Sequence, residues 1–191
     1  MGSSPDGIIL DIRDLRKAFG GVRAVDGCSF AVPRGKISGL IGPNGSGKTT
    51  TFNLLTGVAT PDAGAVIHKG EDLAGRRPYE IFRKGITRTF QITRVFREMT
   101  VLENMLSVTG LAVPQRAARE RAEGLIAFVN LSHLRAEYAG RLSYGQQKLL
   151  EFARALMTDP ELILLDEPAA GVNRTLLQSL LDRIHHLQGQ G

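Results

Sequence analysis

Apolar and polar positions divide the chain into short strand-like runs in its first third and longer helical runs after it. Ile8-Ile9-Leu10-Asp11-Ile12 and the stretch from Cys28 to Val32, where Cys28, Phe30 and Val32 alternate, read as strands separated by Gly20-Gly21. Lys36 to Ile41 reads as a further short apolar strand. It runs into a glycine-rich turn and a helix from about Lys48 to Leu55, which Gly57 ends. The turn signal Pro61-Asp62-Ala63-Gly64 precedes a strand over Ala65 to His68. From about Arg76 the pattern becomes helical. Thr100-Val101-Leu102-Glu103 is a capping box opening an apolar helix, and Ala117 to Val129 is a second helix. A third spans about Gly145 to Met157 and stops near Asp159-Pro160. Leu162 to Leu165 is four consecutive aliphatics, the pattern of a strand buried on both faces. Thr175 to Leu187 repeats apolar residues at helical spacing. This alternation predicts an α/β fold with a mainly parallel sheet and a helical insertion from about Ile92 to Leu150.

Composition narrows the classes without naming one. The 191 residues suffice for one domain with a sizeable core, and 42% hydrophobic with 23% charged residues is ordinary for a globular protein. The net charge of +5 suits polyphosphate ligands or an anionic membrane surface and does not demand nucleic acid. The single cysteine, Cys28, excludes an internal disulfide and reads as a structural thiol. No run of about 18 apolar residues predicts a membrane span, and the first residues lack the pattern of a secretory signal.

The strongest chemical signal is Gly42-Pro43-Asn44-Gly45-Ser46-Gly47-Lys48-Thr49, which fills every position of the P-loop pattern between a predicted strand and a predicted helix. Its glycines let backbone N–H groups converge on phosphate oxygens, and the helix that follows points its positive end at the same charge. Lys48 is expected to reach the β- and γ-phosphates, Thr49 to ligate Mg²⁺, and Thr50 to add a phosphate contact. The loop alone specifies a nucleoside-triphosphate site. Asp166 and Glu167 close the predicted strand Leu162 to Leu165, at the end of the strand where open α/β sheets bind ligands. Asp166 is expected to hold Mg²⁺, directly or through water, and Glu167 to accept a proton from an attacking water.

Leu142-Ser143-Tyr144-Gly145-Gln146 precedes the third helix, with Ser143 and Gln146 spaced as a capping box and Gly145 permitting close backbone approach. It is a second anion site on the same chain. Two subunits arranged head to tail, each offering this site to the other's nucleotide, make simplest use of both. The segment resembles the ABC signature sequence LSGGQ, with Tyr144 in place of the first paired glycine. With the P-loop upstream and Asp166-Glu167 downstream, the chain resembles the ATP-binding domains of ABC transporters over essentially its whole length. The resemblance implies a P-loop NTPase core of RecA-like type with an N-terminal antiparallel β part. It implies a single domain over residues 1–191, with its core at about 1–91 and 151–191 and a helical subdomain at about 92–150. It also assigns Phe19 to stacking on adenine and Gln91 to contacts with Mg²⁺ and the lytic water. Asn173 stands where many family members carry an aspartate facing the other subunit.

The wording Arg88-Thr89-Phe90-Gln91, Leu142-Ser143-Tyr144-Gly145-Gln146-Gln147 and Asp166-Glu167-Pro168-Ala169-Ala170-Gly171 resembles the ATPase subunits of branched-chain amino-acid importers. The expected partners are a second ABC ATPase subunit, integral-membrane permease subunits and, indirectly, a periplasmic solute-binding protein. The expected location is peripheral, on the cytoplasmic face of the inner membrane, with ATP and Mg²⁺ bound and no nucleic acid. The alternatives are an ATPase of lipopolysaccharide-type export, a soluble ABC ATPase acting on nucleic acid or ribosomes, and a P-loop kinase. A kinase leaves Leu142 to Gln146 unexplained. Arg83, Arg88, Arg94, Arg97, Arg116, Arg119 and Arg121 offer a basic surface to membrane subunits or lipid headgroups, against the alternative of a plain solvated surface. His68, His133, His185 and His186 match no catalytic position. The family's strand ending in the switch histidine is not found before Gly191. That part of the fold is expected to be absent, and the chain as it stands to turn over ATP weakly or not at all.

Overall fold

The structure is a computed structural model that describes residues 7–89, 94–110, 113–168, 170 and 174–189. These fall into two compact units divided between Ile86 and Thr87.

In the first unit, β1 (Ile8–Phe19) and β2 (Val22–Pro33) form a hairpin turning at Gly20-Gly21. After α1 (Lys48–Leu55), β3 (Ala63–His68) pairs antiparallel with the other side of β1, and β4 (Glu71–Asp72) pairs with β3. The sheet order is β2-β1-β3-β4. The unit continues through α2 (Pro78–Arg83). Leu10, Ile12 and Leu15 are almost wholly buried, and Leu54, Leu55, Val66 and Ile81 join them in the core. The step from Ile12 to Leu15 breaks strict alternation because β1 is irregular there, with Asp14 at φ 44°.

Both hairpin strands run well beyond their apolar stretches. Their polar continuations are held by ion pairs on the exposed side: Arg16 with Asp14 at 2.8 Å and Asp26 at 3.1 Å, and Lys17 with Asp62 at 2.7 Å. Cys28 is half-buried on the more covered face of β2. His68 is buried, its Nδ1 2.8 Å from the Ile9 carbonyl oxygen and its Nε2 3.2 Å from that of Lys84.

The expected strand over Lys36 to Ile41 does not form, and Ile41 is 93% exposed. A strand persists only where a neighbour takes its N–H and C=O groups, and no described strand pairs with this segment. The larger described sheet is the antiparallel one at the N-terminus.

β5 (Ile86–Thr89), which belongs to the second unit from Thr87 on, pairs with β6 (Leu162–Leu165) in a separate two-stranded sheet. Only Leu164 of β6 is buried, so the expectation of burial on both faces fails. One described neighbour covers too little of it. Helices α3 (Val101–Leu106), α4 (Gln115–Phe128) and α5 (Tyr144–Leu156) enclose a core that includes Val101, Met105, Ile126, Leu150 and Phe152, and Leu180 of α6 (Arg174–Gly189) joins it. The predicted capping box opens α3. The Thr100 hydroxyl accepts from the Glu103 N–H at 3.2 Å, and the Glu103 carboxylate accepts from the Thr100 N–H at 2.7 Å. Asn104, fully buried, accepts from the Phe96 N–H at 2.8 Å and donates to the carbonyls of Phe96, Met99 and Thr100. It thereby fixes the approach to α3.

Candidate nucleotide-binding site

The P-loop segment is shaped by its glycines. Gly45 and Gly47 have φ of 81° and 85°, the left-handed region that favours glycine. Gly47 is the N-cap of α1, with no side-chain cap and no acidic residue in the first turn. The first turn of α1 thus presents backbone N–H groups and the positive end of the helix with no built-in anion. The Lys48 ammonium donates to the carbonyls of Gly42 and Pro43, both at 2.8 Å, which holds the lysine across the mouth of its own loop. A Cβ on Gly42 would lie 2.6 Å from the Ser46 hydroxyl. The loop is a cradle of backbone, and side chains at its glycines would fill it.

Strand register brings Phe19 to the same end of this unit. Gly47 sits against the Ala24 carbonyl, and β2 is paired there with the last residues of β1: Lys17 faces Val25, Ala18 faces Arg23 and Phe19 faces Val22. Phe19 is 54% exposed, so it is not a core aromatic, and the Lys17 ammonium lies 5.5 Å from its ring centroid. Thr49 is exposed and Thr50 half-buried.

In the second unit, β6 delivers Asp166 and Glu167 to one turn. Asp166 is buried and Glu167 has φ 45°, an uncommon backbone state for a non-glycine residue. The Ala170 N–H donates to the Glu167 carbonyl at 3.0 Å, closing the turn. Two cations serve this turn. The Arg88 guanidinium on β5 binds Asp166 Oδ2 at 2.7 Å, with both side chains more than nine-tenths buried. Buried Lys148, on α5, donates to the Glu167 carbonyl at 3.4 Å and lies 5.5 Å from the Tyr144 ring. Thr89, Lys148, Glu151, Leu165, Asp166 and Pro168 line a small cleft there.

Sequence reasoning missed both cations. Arg88, which its sequence setting groups with the surface arginines, is internal. Arg116 and Arg119 do lie at the surface, where they pair along α4 with Glu120 and Glu123. Arg121 donates to the carbonyls of Leu156 and Met157 and to Asp159. The signal that could have marked Arg88 is a cation on a short β-prone run, in a chain where another strand ends in an aspartate.

The signature segment folds as expected. Ser143 is the N-cap of α5; its hydroxyl accepts from the Gln146 N–H at 3.3 Å, and Gln146 Oε1 accepts from the Ser143 N–H at 2.9 Å. Leu142 is buried beneath it, while Ser143 and Tyr144 are exposed and Gly145 half-buried. Gln147 donates to the carbonyls of Ala139 and Leu142, both at 3.1 Å, and so fixes the entry to the helix. Gln91 and Asn173 lie outside the described residues.

A glycine cradle on a helix start in one unit, and a strand-end Asp-Glu pair with a capped signature turn in the other, define a P-loop nucleotide-binding protein. Comparison with known proteins makes this particular: residues 25–170 match the ABC transporter family, and the chain belongs to that family as an ATPase subunit. It is 42% identical to a probable branched-chain amino acid transport ATP-binding protein, LivG, of Archaeoglobus fulgidus, over 96% of this chain and 76% of that protein. It is 39% identical to the high-affinity branched-chain amino acid transport ATP-binding protein LivG of Escherichia coli K12, over 94% of this chain and 77% of that protein. Among solved structures it resembles the ADP conformation of MJ1267, an ATP-binding cassette of an ABC transporter. The TM-score is 0.87 at 38% identity, covering 96% of this chain and 78% of that one. The fold is accordingly the ABC ATPase P-loop fold with an N-terminal antiparallel sheet.

Proposed function

We propose that this chain binds and hydrolyses ATP to power an importer of branched-chain amino acids. The observation that carries the ATPase reading is the capped turn Ser143-Tyr144-Gly145 at the start of α5, in a chain that also holds a complete P-loop. The names of the relatives, together with Tyr144 at the signature position, support the amino-acid reading. Gly42, Pro43, Asn44, Gly45, Ser46, Gly47, Lys48, Thr49 and Thr50 take the phosphates, and Phe19 takes the adenine. Leu142 to Gln146 serve the nucleotide of a partner subunit.

Magnesium fits this donor set. Asp166 offers a buried carboxylate and Thr49 an exposed hydroxyl, oxygen donors of the kind a magnesium ion combines with a nucleotide's own phosphates. Asp166, Thr49 and Gln91 would hold it, and when bound it neutralises charge on the phosphates. Glu167 accepts the proton of the attacking water, and Lys48 steadies the terminal phosphates. The chain acts as one ATPase domain, with a core of about 1–91 and 151–191 and a helical subdomain of about 92–150. It works as a dimer with a second ABC ATPase on integral-membrane permeases, and through them with a periplasmic solute-binding protein. It sits at the cytoplasmic face of the inner membrane and needs no nucleic acid. No helix among the described residues is long and apolar enough to cross a membrane.

The test is uptake of labelled leucine by cells lacking this subunit. Uptake is expected to return with the wild-type gene and not with Glu167→Gln. Leucine uptake unaffected by the loss of the subunit would overturn the importer reading. Purified protein that releases no phosphate from ATP, even when assembled with its permease, would overturn the ATPase reading.

A further inference from the structure

The acidic strand end carries an internal counter-charge. Arg88 and Asp166 stand 78 positions apart in the chain and meet at 2.7 Å, with side chains only 6% and 8% exposed. So complete a removal from water leaves an ion pair weakly screened. Of the two Asp166 carboxylate oxygens, Arg88 binds Oδ2; among the described residues Oδ1 takes no hydrogen bond. The geometry is one-sided: one carboxylate oxygen is held by the protein's own cation, and the other is not.

We propose that Arg88 is a positioning residue for the nucleotide-bound divalent cation, holding Asp166 by Oδ2 and moderating the negative charge that the cation meets at Oδ1. This rests on the reading of Asp166 as a magnesium-holding residue.

A cation already beside a carboxylate disfavours a second one there, because like charges repel most strongly where solvent is excluded. The wild-type site therefore binds magnesium more weakly than the bare carboxylate would. That favours release of magnesium with the product nucleotide. Arg88→Gln removes the charge and keeps a polar side chain, whereas Arg88→Lys retains the charge.

The experiment is a magnesium titration of the purified chain saturated with a fluorescent ADP analogue, with thermal melting recorded at each magnesium concentration. The half-saturating magnesium concentration is expected to fall at least threefold in Arg88→Gln and to stay within about twofold of wild type in Arg88→Lys, on the order set by one nearby charge. Magnesium is also expected to raise the melting temperature more in Arg88→Gln than in wild type, because it takes over the partnering of Asp166. A merely structural arginine would lower the melting temperature equally with and without magnesium and leave the titration unchanged. That outcome overturns the proposal.

If Arg88→Gln does not fold, the wild-type protein carries the test. Its Arg88 guanidinium NMR signal, assigned by its loss in Arg88→Lys, is expected to move when magnesium is added to the ADP complex and not when ADP is added alone. A signal unmoved at saturating magnesium overturns the proposal. Wild-type protein that binds the ADP analogue with no dependence on magnesium sinks the reading of Asp166 itself. Normal magnesium dependence unchanged in Arg88→Gln sinks only the role of Arg88.

Discussion

The carbonyl oxygen of Ala24 lies 2.1 Å from where a Cβ of Gly47 would sit. The residue that caps α1 is therefore pressed against the backbone of β2 and also held at φ 85°. Gly47→Ala adds a clash with an atom that cannot swing aside and forces an L-residue into the left-handed region, which alone costs about 1–2 kcal/mol. The variant is expected to lose at least that much stability in urea denaturation and to bind ATP measurably more weakly. Wild-type stability with wild-type affinity would show that α1 can shift away from the hairpin at no cost.

Lys48 bonds only to carbonyls of its own loop, Gly42 and Pro43, among the described residues. Its removal is expected to leave the fold intact and weaken ATP binding by at least tenfold, about 1.4 kcal/mol. Calorimetry on folded Lys48→Ala checks this, and an unchanged affinity would assign the phosphate charge to another cation.

Glu167→Gln preserves shape and hydrogen bonding and removes the base. ATP binding should persist while phosphate release by the assembled transporter drops about a hundredfold, the usual scale of general-base catalysis. Near-normal turnover would place the base elsewhere.

Ser143 separates capping from recognition. Asp ranks with Ser as an N-cap, so Ser143→Asp is expected to keep stability within about 0.5 kcal/mol, whereas Ser143→Ala loses about 1 kcal/mol. If the turn receives a partner's phosphates, the added carboxylate repels them. ATP hydrolysis in Ser143→Asp should then fall at least tenfold. Unchanged hydrolysis would reduce the segment to a helix cap.

The Lys17 ammonium, followed by the Ala18 N–H, holds the Asp62 carboxyl below its usual 3.8. A carboxylate lowered in the folded state stabilises the fold above the ordinary value and loses that contribution as pH falls through the lowered one. Stability should therefore decline on acidification below about pH 4, and less steeply in Asp62→Asn. Identical acid melts of the two proteins would show that the pair is too well solvated to matter.

What was legible in the sequence is what local chemistry decides. The capping boxes of Thr100 with Glu103 and of Ser143 with Gln146 span four residues each and form as read. α1 and β6 formed with the boundaries expected from their flanking signals. The failures are non-local. β1 runs to Phe19 because Asp26 and Asp62, distant in sequence, neutralise its arginine and lysine. Ile86 to Thr89 became a strand because β6 lies beside it, which no pattern within those four residues announces. Lys36 to Ile41 has strand composition and found no described partner. Arg88 looked like a surface charge until a strand 78 positions away put Asp166 against it.

Helix α5 is tied at both ends. Ser143 and Gln146 close its first turn, and Arg121 of α4 binds the carbonyls of Leu156 and Met157 at its last. Fraying from the termini, the easiest route by which a helix opens, is thereby blocked at each end. Its amide hydrogens should exchange with solvent slowly and at similar rates along its length, through a cooperative opening of the helical unit. α1, capped by a bare glycine, should exchange fastest at its first turn. Deuterium would then enter the helix behind the P-loop long before the helix behind the signature turn.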